Sequence, residues 1–257
     1  MMLINKRRTS TPLAKRPTYL ARLARSADEV RAAQRLRFEV FNLELNEGLA
    51  ESHFTGLDAD AFDEVCDHLI VEQVSTGEIV GTYRLQTGQG AATNIGYYSE
   101  REFDFSPYEP LRKETIELGR ACVHTDHRNF NLLHLLWRGI ALYARQRNAR
   151  FLVGCSSLTS QDAGEGMAMY QDLCAKFLVR LEWRTKPHPE LRCAAGSGVS
   201  VGRPPKLMRA YLGLGARICG PPALDRQFGT IDFLTLLDLH SLPAVVRALT
   251  CITSRRR

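Results

Sequence analysis

Hydrophobic and polar positions along the chain predict a mixture of helices and strands. Apolar residues of one segment recur at the spacing of a helix face: Val30, Ala33, Leu36 and Val40. They predict a helix over 27–42, with Ser26 as its N-cap. Further helices are predicted at 132–146, at 168–177 and from Pro204-Pro205 to 212. Apolar and β-branched runs predict strands at 19–23, 68–74, 78–87, 114–123, 151–155, 216–219 and 230–238.

The order of these elements indicates the fold class. Ser75-Thr-Gly77 between the second and third strands is a hairpin signal, and strands and helices do not alternate strictly. The segments 46–62 and 184–203 are predicted loops, and 88–113 is predicted to be partly helical around 97–103. We therefore expect an α/β (α+β) fold with a mixed, mostly antiparallel sheet flanked by helices.

The strand 114–123 is the most informative segment because it carries charges among apolar residues. Glu117 and Arg120 stand between Ile116, Leu118 and Val123. Buried charges are costly unless they are paired or used in chemistry. Two interpretations remain: Glu117 moves a proton as a general base, or Glu117 and Arg120 form an ion pair that ties the sheet together.

Charge is distributed unevenly over the 257 residues, whose formal net charge is +6. Residues 1–37 carry ten Lys or Arg and two acids, whereas 38–83 carry eleven acids and no Lys or Arg. The acidic block is either a solvated loop or the wall of a pocket for a cationic small molecule. The basic remainder favours an acidic partner or an anionic membrane surface.

Size and composition favour one large domain with extensions. We expect a disordered basic arm at 1–18, a folded domain at 19–239, and a C-terminal helix with a basic tail at 240–257. The seven scattered cysteines, with no CxxC pair, indicate reduced thiols. No run of eighteen apolar residues and no secretory signal occurs, so a cytoplasmic protein is expected.

Short motifs along the chain resemble the GNAT N-acyltransferases. Their order and spacing are similar to those of acyl-homoserine-lactone synthases: Arg37-Phe38-Glu-Val-Phe41, Phe62-Asp63-Glu64, Gly81-Thr-Tyr-Arg84-Leu85 and Glu117-Leu-Gly-Arg120. The C-terminal third resembles the L-ornithine Nα-acyltransferases, once labelled hemolysin-like, through four further motifs: Leu136-Trp-Arg-Gly-Ile140, Gly154-Cys-Ser-Ser157, Pro204–Gly215 and Asp225–Phe233. The resemblance spans about 19–239 and implies a GNAT-like fold.

The resemblance implies an amide-forming acyltransferase without metal or bound cofactor. The usual GNAT pyrophosphate loop is replaced by Arg128-Asn-Phe-Asn-Leu-Leu133, which fits acyl-carrier protein better than coenzyme A as thioester donor. A (3-hydroxy)fatty acyl group would pass to the α-amine of ornithine. The alternatives are an acyl-homoserine-lactone synthase, acylation of another amino acid such as glycine, and a membrane-binding, haemolysin-like protein that is not an enzyme.

The resemblance also implies roles for individual residues. Glu117 and Arg120 would be catalytic, and backbone N–H groups around Ala121 and Val123 would stabilise the oxyanion beside a splayed strand. Arg128 and the N-terminus of the helix 132–146 would bind the phosphopantetheine phosphate, unless Arg128 is a solvated cation.

For the acceptor, Asp63, Glu64 and Asp67 form the densest part of the acidic block, and Asp63 and Asp67 would face the ornithine ammonium. Asp63 is alternatively a carboxylate at the hairpin edge. Arg37 and Arg84 would bind the substrate carboxylate or brace the acidic cluster.

Three other features are weaker. His124, Asp126 and His127 could supply metal ligands, but the spacing along the chain places no third ligand, so a loop is favoured over a metal site. Cys155-Ser-Ser157 lacks the Gly-x-Ser-x-Gly elbow of a nucleophile. The basic arm and the Arg255–Arg257 tail have no accompanying nucleic-acid motif, so acyl-carrier protein or a peripheral membrane contact is the favoured partner.

Overall fold

The computed structural model describes residues 18–194 and 202–242 of the chain. Eight strands form one sheet in the order β1-β2-β3-β4-β5-β8-β6, and β7 also pairs with β8. The strands are β1 (Tyr19–Leu23), β2 (Asp67–Gln73), β3 (Glu78–Thr87), β4 (Thr115–Val123), β5 (Phe151–Leu158), β6 (Arg217–Ile218), β7 (Ala223–Asp225) and β8 (Thr230–Asp238). Among these strands of the described residues, only the β4–β5 pair is parallel, so the predicted mixed, mostly antiparallel sheet is confirmed.

Within 18–194 and 202–242, six α-helices flank the sheet: α1 (Ala27–Phe38), α2 (Ser52–Thr55), α3 (Gly88–Thr93), α4 (Phe130–Gln146), α5 (Ala163–Phe177) and α6 (Lys206–Leu214). Among the described residues, none of these helices is both long and apolar enough to cross a membrane. The predicted arm at 1–17 and the predicted helix and tail from 243 onward lie outside the described residues.

The first helix begins as the sequence predicts and then changes character. The Ser26 side chain accepts a hydrogen bond from the Glu29 backbone N–H, which caps α1. From Glu39 to Glu44 the chain continues as a π-helix, not as the α-helix predicted to Asn42. Such wide turns are frequent at functional sites, and this one brings Val40 and Phe41 to the cavity described below.

Side chains alternate across the sheet and divide its two faces. Leu69, Tyr83 and Leu85 point to the face on which α4 packs, where Leu136 and Ile140 join them in the core. On the other face α1 packs against β3 and β4, and the segment around α3 covers β4. The charged residues of β3 and β4 therefore meet α1 and the segments that follow it.

Several predicted boundaries are wrong for local reasons. Helix α4 begins at Phe130 because Asn129, not a later residue, caps it, and α5 begins at Ala163 because the Asp162 side chain accepts two backbone N–H bonds. Strand β5 runs to Leu158 because it pairs with β8 along its whole length. The predicted 46–62 loop contains α2, and the three-residue strand β7 was not predicted.

Candidate active site

The parallel pair β4–β5 comes apart in the middle of the sheet. The two strands pair only through Thr115–Glu117 and Phe151–Val153, although they continue to Val123 and Leu158. At the point of divergence a Cβ on Gly154 would lie 2.3 Å from the Leu118 carbonyl oxygen, so only glycine fits there. The sheet therefore splays, as the resemblance implied.

A bulge in β4 accompanies this splay. The β3–β4 register shifts between Thr82 and Arg84, and Arg120 has a φ of 50°, in the left-handed region. A non-glycine residue there is strained and persists only when its surroundings hold it. Two carboxylates and two aromatic rings hold the Arg120 guanidinium: Asp58 at 3.2 Å, Asp60 at 3.1 Å, Tyr98 at 4.9 Å and Phe228 at 4.4 Å.

The gap between the strands opens into a cavity of about 820 Å³. Part of its lining is polar, and we call this part the polar arm; it includes Glu47, Tyr98, Ser99, Glu117, Arg120, Cys155, Thr159 and Asp232. The part of the lining that we call the apolar arm consists of residues of α4, α6 and adjoining segments: Leu118, Leu133, Leu136, Trp137, Leu152, Leu207, Ala210, Tyr211, Ala216 and Leu237. An apolar channel that meets a polar one can hold a hydrocarbon chain beside a charged small molecule.

Glu117 lines this cavity beside the point at which β4 and β5 diverge. Its carboxylate accepts hydrogen bonds from the backbone N–H groups of Tyr98, at 2.7 Å, and Ser99, at 2.8 Å. Burial raises the pKa of Glu117; the Ser99 and Tyr98 hydrogen bonds and the Arg84 charge oppose that rise without cancelling it. A carboxylate with a raised pKa facing a cavity is a candidate general base.

The alternative role of Glu117, an ion pair with Arg120, does not occur. Arg120 pairs instead with Asp58 and Asp60. It belongs to a buried group of three arginines and three aspartates, which we call the ion network: Arg37, Arg84, Arg120, Asp58, Asp60 and Asp63. Arg120 therefore reaches the cavity as part of this network and not as the partner of Glu117.

Asp63 lies inside the ion network and away from the cavity. Its carboxylate binds Arg37 at 2.6 Å and 2.9 Å, Arg84 at 3.2 Å and Gln34 at 3.0 Å. Burial alone would raise the pKa of Asp63, but the Arg37 hydrogen bonds and the arginine charges hold it below its ordinary value. Both oxygens of Asp63 are thus occupied by these partners, and Arg37 and Arg84 brace the acidic cluster. Arg84 also lines the cavity, so its predicted role toward the substrate carboxylate stays a prediction.

Asp67 lies on the opposite face of the sheet. Its carboxylate accepts hydrogen bonds from the Tyr143 hydroxyl of α4 at 2.6 Å and from Arg147, the residue that follows α4, at 3.2 Å. Asp67 is not among the residues that line the cavity. The sequence grouped Asp63 and Asp67 by proximity along the chain. In the structure Asp63 lies in the turn before β2 and contacts the arginines of the ion network, whereas Asp67 is the first residue of β2 and contacts residues at the end of α4.

The predicted donor-binding residues lie together at the mouth of the cavity. Ala121, Val123 and Arg128 line it. Because β5 has diverged, alternate backbone groups of β4 beyond Glu117 face the gap instead of a strand partner. Arg128 donates to the Val123 carbonyl oxygen at 3.0 Å and forms a two-pronged ion pair with Glu44, at 2.6 Å for one of its contacts.

The two remaining sequence candidates have structural partners. The His127 ring nitrogen Nδ1 lies 2.9 Å from the Tyr19 hydroxyl, within a loop that follows β4. The Cys155 thiol donates to Glu102, and burial beside that carboxyl raises the pKa of Cys155 well above its ordinary value. A thiol that resists ionisation is a poor nucleophile.

Comparison with known proteins identifies the family. A model of the acetyltransferase (GNAT) domain matches residues 36–138. The L-ornithine N(alpha)-acyltransferase of Agrobacterium fabrum is 34% identical over 241 residues, which cover 88% of this chain and 82% of that protein. The protein of the same name from Rhodobacter capsulatus is 32% identical over 246 residues, 88% of this chain and 92% of that protein. The chain belongs to this acyltransferase family.

Solved structures confirm the GNAT-like fold of this acyltransferase. LasI, an AHL synthase, superposes with a TM-score of 0.52 at 11% identity, covering 91% of this chain and 95% of that chain. FeeM, an N-acyl amino acid synthase from uncultured soil microbes, superposes with a TM-score of 0.51 at 14% identity, covering 88% and 93%. At these identities the likeness concerns the fold alone.

The acyltransferase also has a group of buried acids that the sequence analysis did not single out. Glu102, Asp225 and Asp232 are buried close to one another and form what we call the carboxylate cluster, of which Asp232 lines the cavity. Asp225 and Asp232 fall within one of the motifs that carried the resemblance, but no local pattern connects them with Glu102. The cluster forms only when β7, β8 and the segment before the 3₁₀ turn at Ser106 come together.

Proposed function

We propose that this acyltransferase moves a (3-hydroxy)fatty acyl group from acyl-carrier protein to the α-amine of ornithine, giving a lyso-ornithine lipid. The single observation that carries the proposal is the meeting of a buried carboxylate, Glu117, with an apolar channel at the splay of β4 and β5. The names of the relatives support ornithine as the acceptor. We place the reaction in the cytoplasm, with a peripheral membrane contact for the lipid product.

In this proposal the apolar arm holds the acyl chain and the polar arm holds the amino acid. The free α-amine is mostly protonated at neutral pH and must lose a proton before it can attack. Glu117 takes that proton, directly or through a water molecule, and its raised pKa suits the task. The nitrogen then bonds to the thioester carbonyl carbon, the carbon–sulfur bond breaks, and the leaving thiolate takes up the second proton that the nitrogen loses as it becomes an amide.

Two further parts of the site support a carrier-bound thioester. Backbone N–H groups of Ala121 and Val123 lie on the strand edge that β5 has left, where they would stabilise the oxyanion. Arg128 and the N-terminus of the seventeen-residue helix α4 would bind the phosphopantetheine phosphate. Arg128 would exchange the Glu44 carboxylate for the phosphate, since both are anions that a guanidinium binds with two hydrogen bonds.

The test is to incubate the purified protein with 3-hydroxyacyl-carrier protein and a panel of amino acids, and to identify products by mass. N-acyl ornithine would support both the donor and the acceptor. A product with glycine or another amine would replace the acceptor, and a homoserine lactone formed with S-adenosylmethionine would replace the reaction. Loss of the acyl group without any amide would indicate hydrolysis, and no reaction at all would favour a binding protein.

A further inference from the structure

The carboxylate cluster has negative charge that no side-chain cation balances. Glu102, Asp225 and Asp232 are only 4%, 8% and 4% exposed. In the chain as described, none of them forms an ion pair with Lys, Arg or His. Their hydrogen-bond donors are neutral. Buried carboxylates are usually paired because desolvation penalises the charged form.

The neutral donors satisfy the three acids unequally. Asp225 accepts two backbone N–H bonds, from Gln227 at 2.8 Å and Phe228 at 2.9 Å, and Asp232 accepts one from the Thr230 hydroxyl at 3.0 Å. Asp225 is thus held in place by its own turn. Glu102 accepts a weak bond from the Cys155 thiol, at 3.6 Å, and its carboxyl also shares a hydrogen bond with that of Asp232.

One oxygen of Glu102 receives no hydrogen bond from an N–H, S–H or alcohol donor. Its Oε1 is fully buried and accepts no hydrogen bond within the described residues. An unsatisfied buried acceptor costs about 1–3 kcal/mol, so native proteins rarely keep one without a ligand. The Glu102 and Asp232 carboxyls and the Cys155 sulfur have ligand atoms within 4.8 Å of one another. The unpartnered oxygen therefore belongs to a site where acceptors converge.

The pKa values of the cluster acids are raised, as expected for buried carboxyls without a cationic partner. Burial and then the neighbouring Asp232 and Asp225 charges raise the pKa of Glu102 well above its ordinary value. Burial raises the pKa of Asp232 to about 6, with the Asp225 charge acting in the same direction. A bound cation would reverse the preference for the neutral forms.

A chain of contacts connects the cluster with the proposed general base. Glu117 accepts from the Ser99 backbone N–H at 2.8 Å, the Ser99 hydroxyl lies 3.4 Å from the Cys155 sulfur, and that thiol faces Glu102. Asp232 and Cys155 line the same polar arm as Glu117. A small molecule with two amino groups joined by a short chain could reach both places at once.

We propose that the carboxylate cluster binds the side-chain ammonium of the acceptor amino acid, with Glu102 and Asp232 as direct ligands and Asp225 as a supporting charge. This proposal rests on the proposed function, because it assigns the second amino group of ornithine. An ammonium offers three N–H donors, which suits convergent carboxylate oxygens. With the side chain held in the cluster, three methylene groups would place the α-amine toward Glu117, so the cluster selects diamino acids over monoamino acids.

The test compares ornithine with norvaline, which has the same number of carbon atoms but no side-chain ammonium. Kinetic constants for both acceptors are measured for the wild type, Glu102→Gln and Asp232→Asn. Charged hydrogen bonds contribute about 1.5–3 kcal/mol, so we expect KM for ornithine to rise about 10-fold to 100-fold. We expect no comparable rise for norvaline, so that the preference for ornithine collapses while kcat changes less.

Asp238→Asn is a matched control on the same strand. It makes the same change at the end of β8, where Asp238 pairs with Arg150 at 2.8 Å outside the cavity. The control should keep the ornithine preference of the wild type. Glu102→Asp, which keeps the charge, should retain part of the preference and guards against a folding defect in Glu102→Gln.

Calorimetric titration of the wild type with each amino acid separates the failure of this proposal from that of the proposed function. Tighter binding of ornithine than of norvaline, lost in Asp232→Asn, would support the cluster even if no acyl transfer occurs. Equal binding of the two amino acids, or an unchanged preference in both cluster variants while acyl transfer to ornithine proceeds, would overturn it. So would a stoichiometric divalent metal ion in the purified protein that Asp232→Asn removes.

Discussion

The ion network and the carboxylate cluster both contain buried acids, but arginines neutralise the acids of the network and no cation pairs with those of the cluster among the described residues. Three arginines meet three aspartates in the network, whereas the three acids of the cluster meet only neutral donors among the described residues. Tyr98 connects them: Arg84 and Arg120 lie over its ring, and its hydroxyl donates to Asp225 at 3.3 Å. Charge balance indicates structure, and charge imbalance beside a cavity indicates binding.

The largest expected effect comes from breaking the network. Asp63→Asn leaves Arg37 and Arg84 without their shared carboxylate in a buried site, where both are almost fully covered. Removing one partner of a buried ion pair costs about 3–5 kcal/mol, because an uncompensated charge remains. Urea unfolding of the variant and the wild type measures this loss. A stable variant with only a raised KM for ornithine would instead return Asp63 to the substrate site.

Glu117→Gln tests the residue that lies between the two groups. Loss of a general base lowers turnover by about 10²-fold or more. The glutamine side chain keeps the size of Glu117 and one acceptor for the Tyr98 and Ser99 backbone N–H groups. We therefore expect a large fall in kcat with a folded protein, measured by acyl transfer and circular dichroism. Wild-type turnover in a folded variant would remove Glu117 from the mechanism.

Asp232→Asn should affect stability in the opposite direction to Asp63→Asn. The folded-state pKa of Asp232 is raised, so this carboxyl contributes stability at low pH that is lost as pH rises from its ordinary 3.8 to about 6. Above that window the ionised wild type bears the cost of burying the charge, and the uncharged variant should be more stable by about 3 kcal/mol. Urea midpoints measured from pH 4 to pH 7 give the comparison.

The sign of the pH dependence decides this point. The pKa of Asp63 is lowered, so its contribution is present above its ordinary pKa and is lost as the solution becomes acidic. The pKa of Asp232 is raised instead, so the ionised wild type loses stability as pH rises. The free energy of unfolding of Asp232→Asn should therefore exceed that of the wild type by an amount that grows with rising pH. A difference that shrinks with rising pH would mean that Asp232 has a cationic partner, and the contrast between the two groups would fail.

Local sequence patterns were sufficient for much of the fold. The bounds of Tyr19–Leu23, Glu78–Thr87 and Thr230–Asp238 were predicted without error, because apolar alternation and flanking turn residues define a strand locally. Ser26 was predicted as a cap from its type and position. The charges in β4 identified the strand that lines the cavity, since a carboxylate is costly to bury in an apolar strand.

The partners of those charges could not be predicted from the sequence. Arg120 turns to Asp58 and Asp60 because the bulge in β4 gives it a left-handed backbone, and nothing nearby along the chain signals a bulge at a non-glycine residue. Glu102 lies 130 residues before Asp232, so only tertiary structure reveals their convergence. Proximity along the chain also misled, as it grouped Asp63 with Asp67.

Asp67→Asn has the smallest expected effect. Asp67 belongs to neither the ion network nor the carboxylate cluster, so it serves as a reference for both. Asp67 keeps only the Tyr143 hydrogen bond and the Arg147 contact, and its side chain is 42% exposed. Exposed ion pairs contribute about 1 kcal/mol or less. We expect a small loss of stability and a KM for ornithine within about twofold of the wild type, measured in the same unfolding and acyl-transfer assays. A tenfold rise in that KM would show that the acidic block reaches the substrate from the α4 face, and charge imbalance beside the cavity would no longer identify the acceptor site.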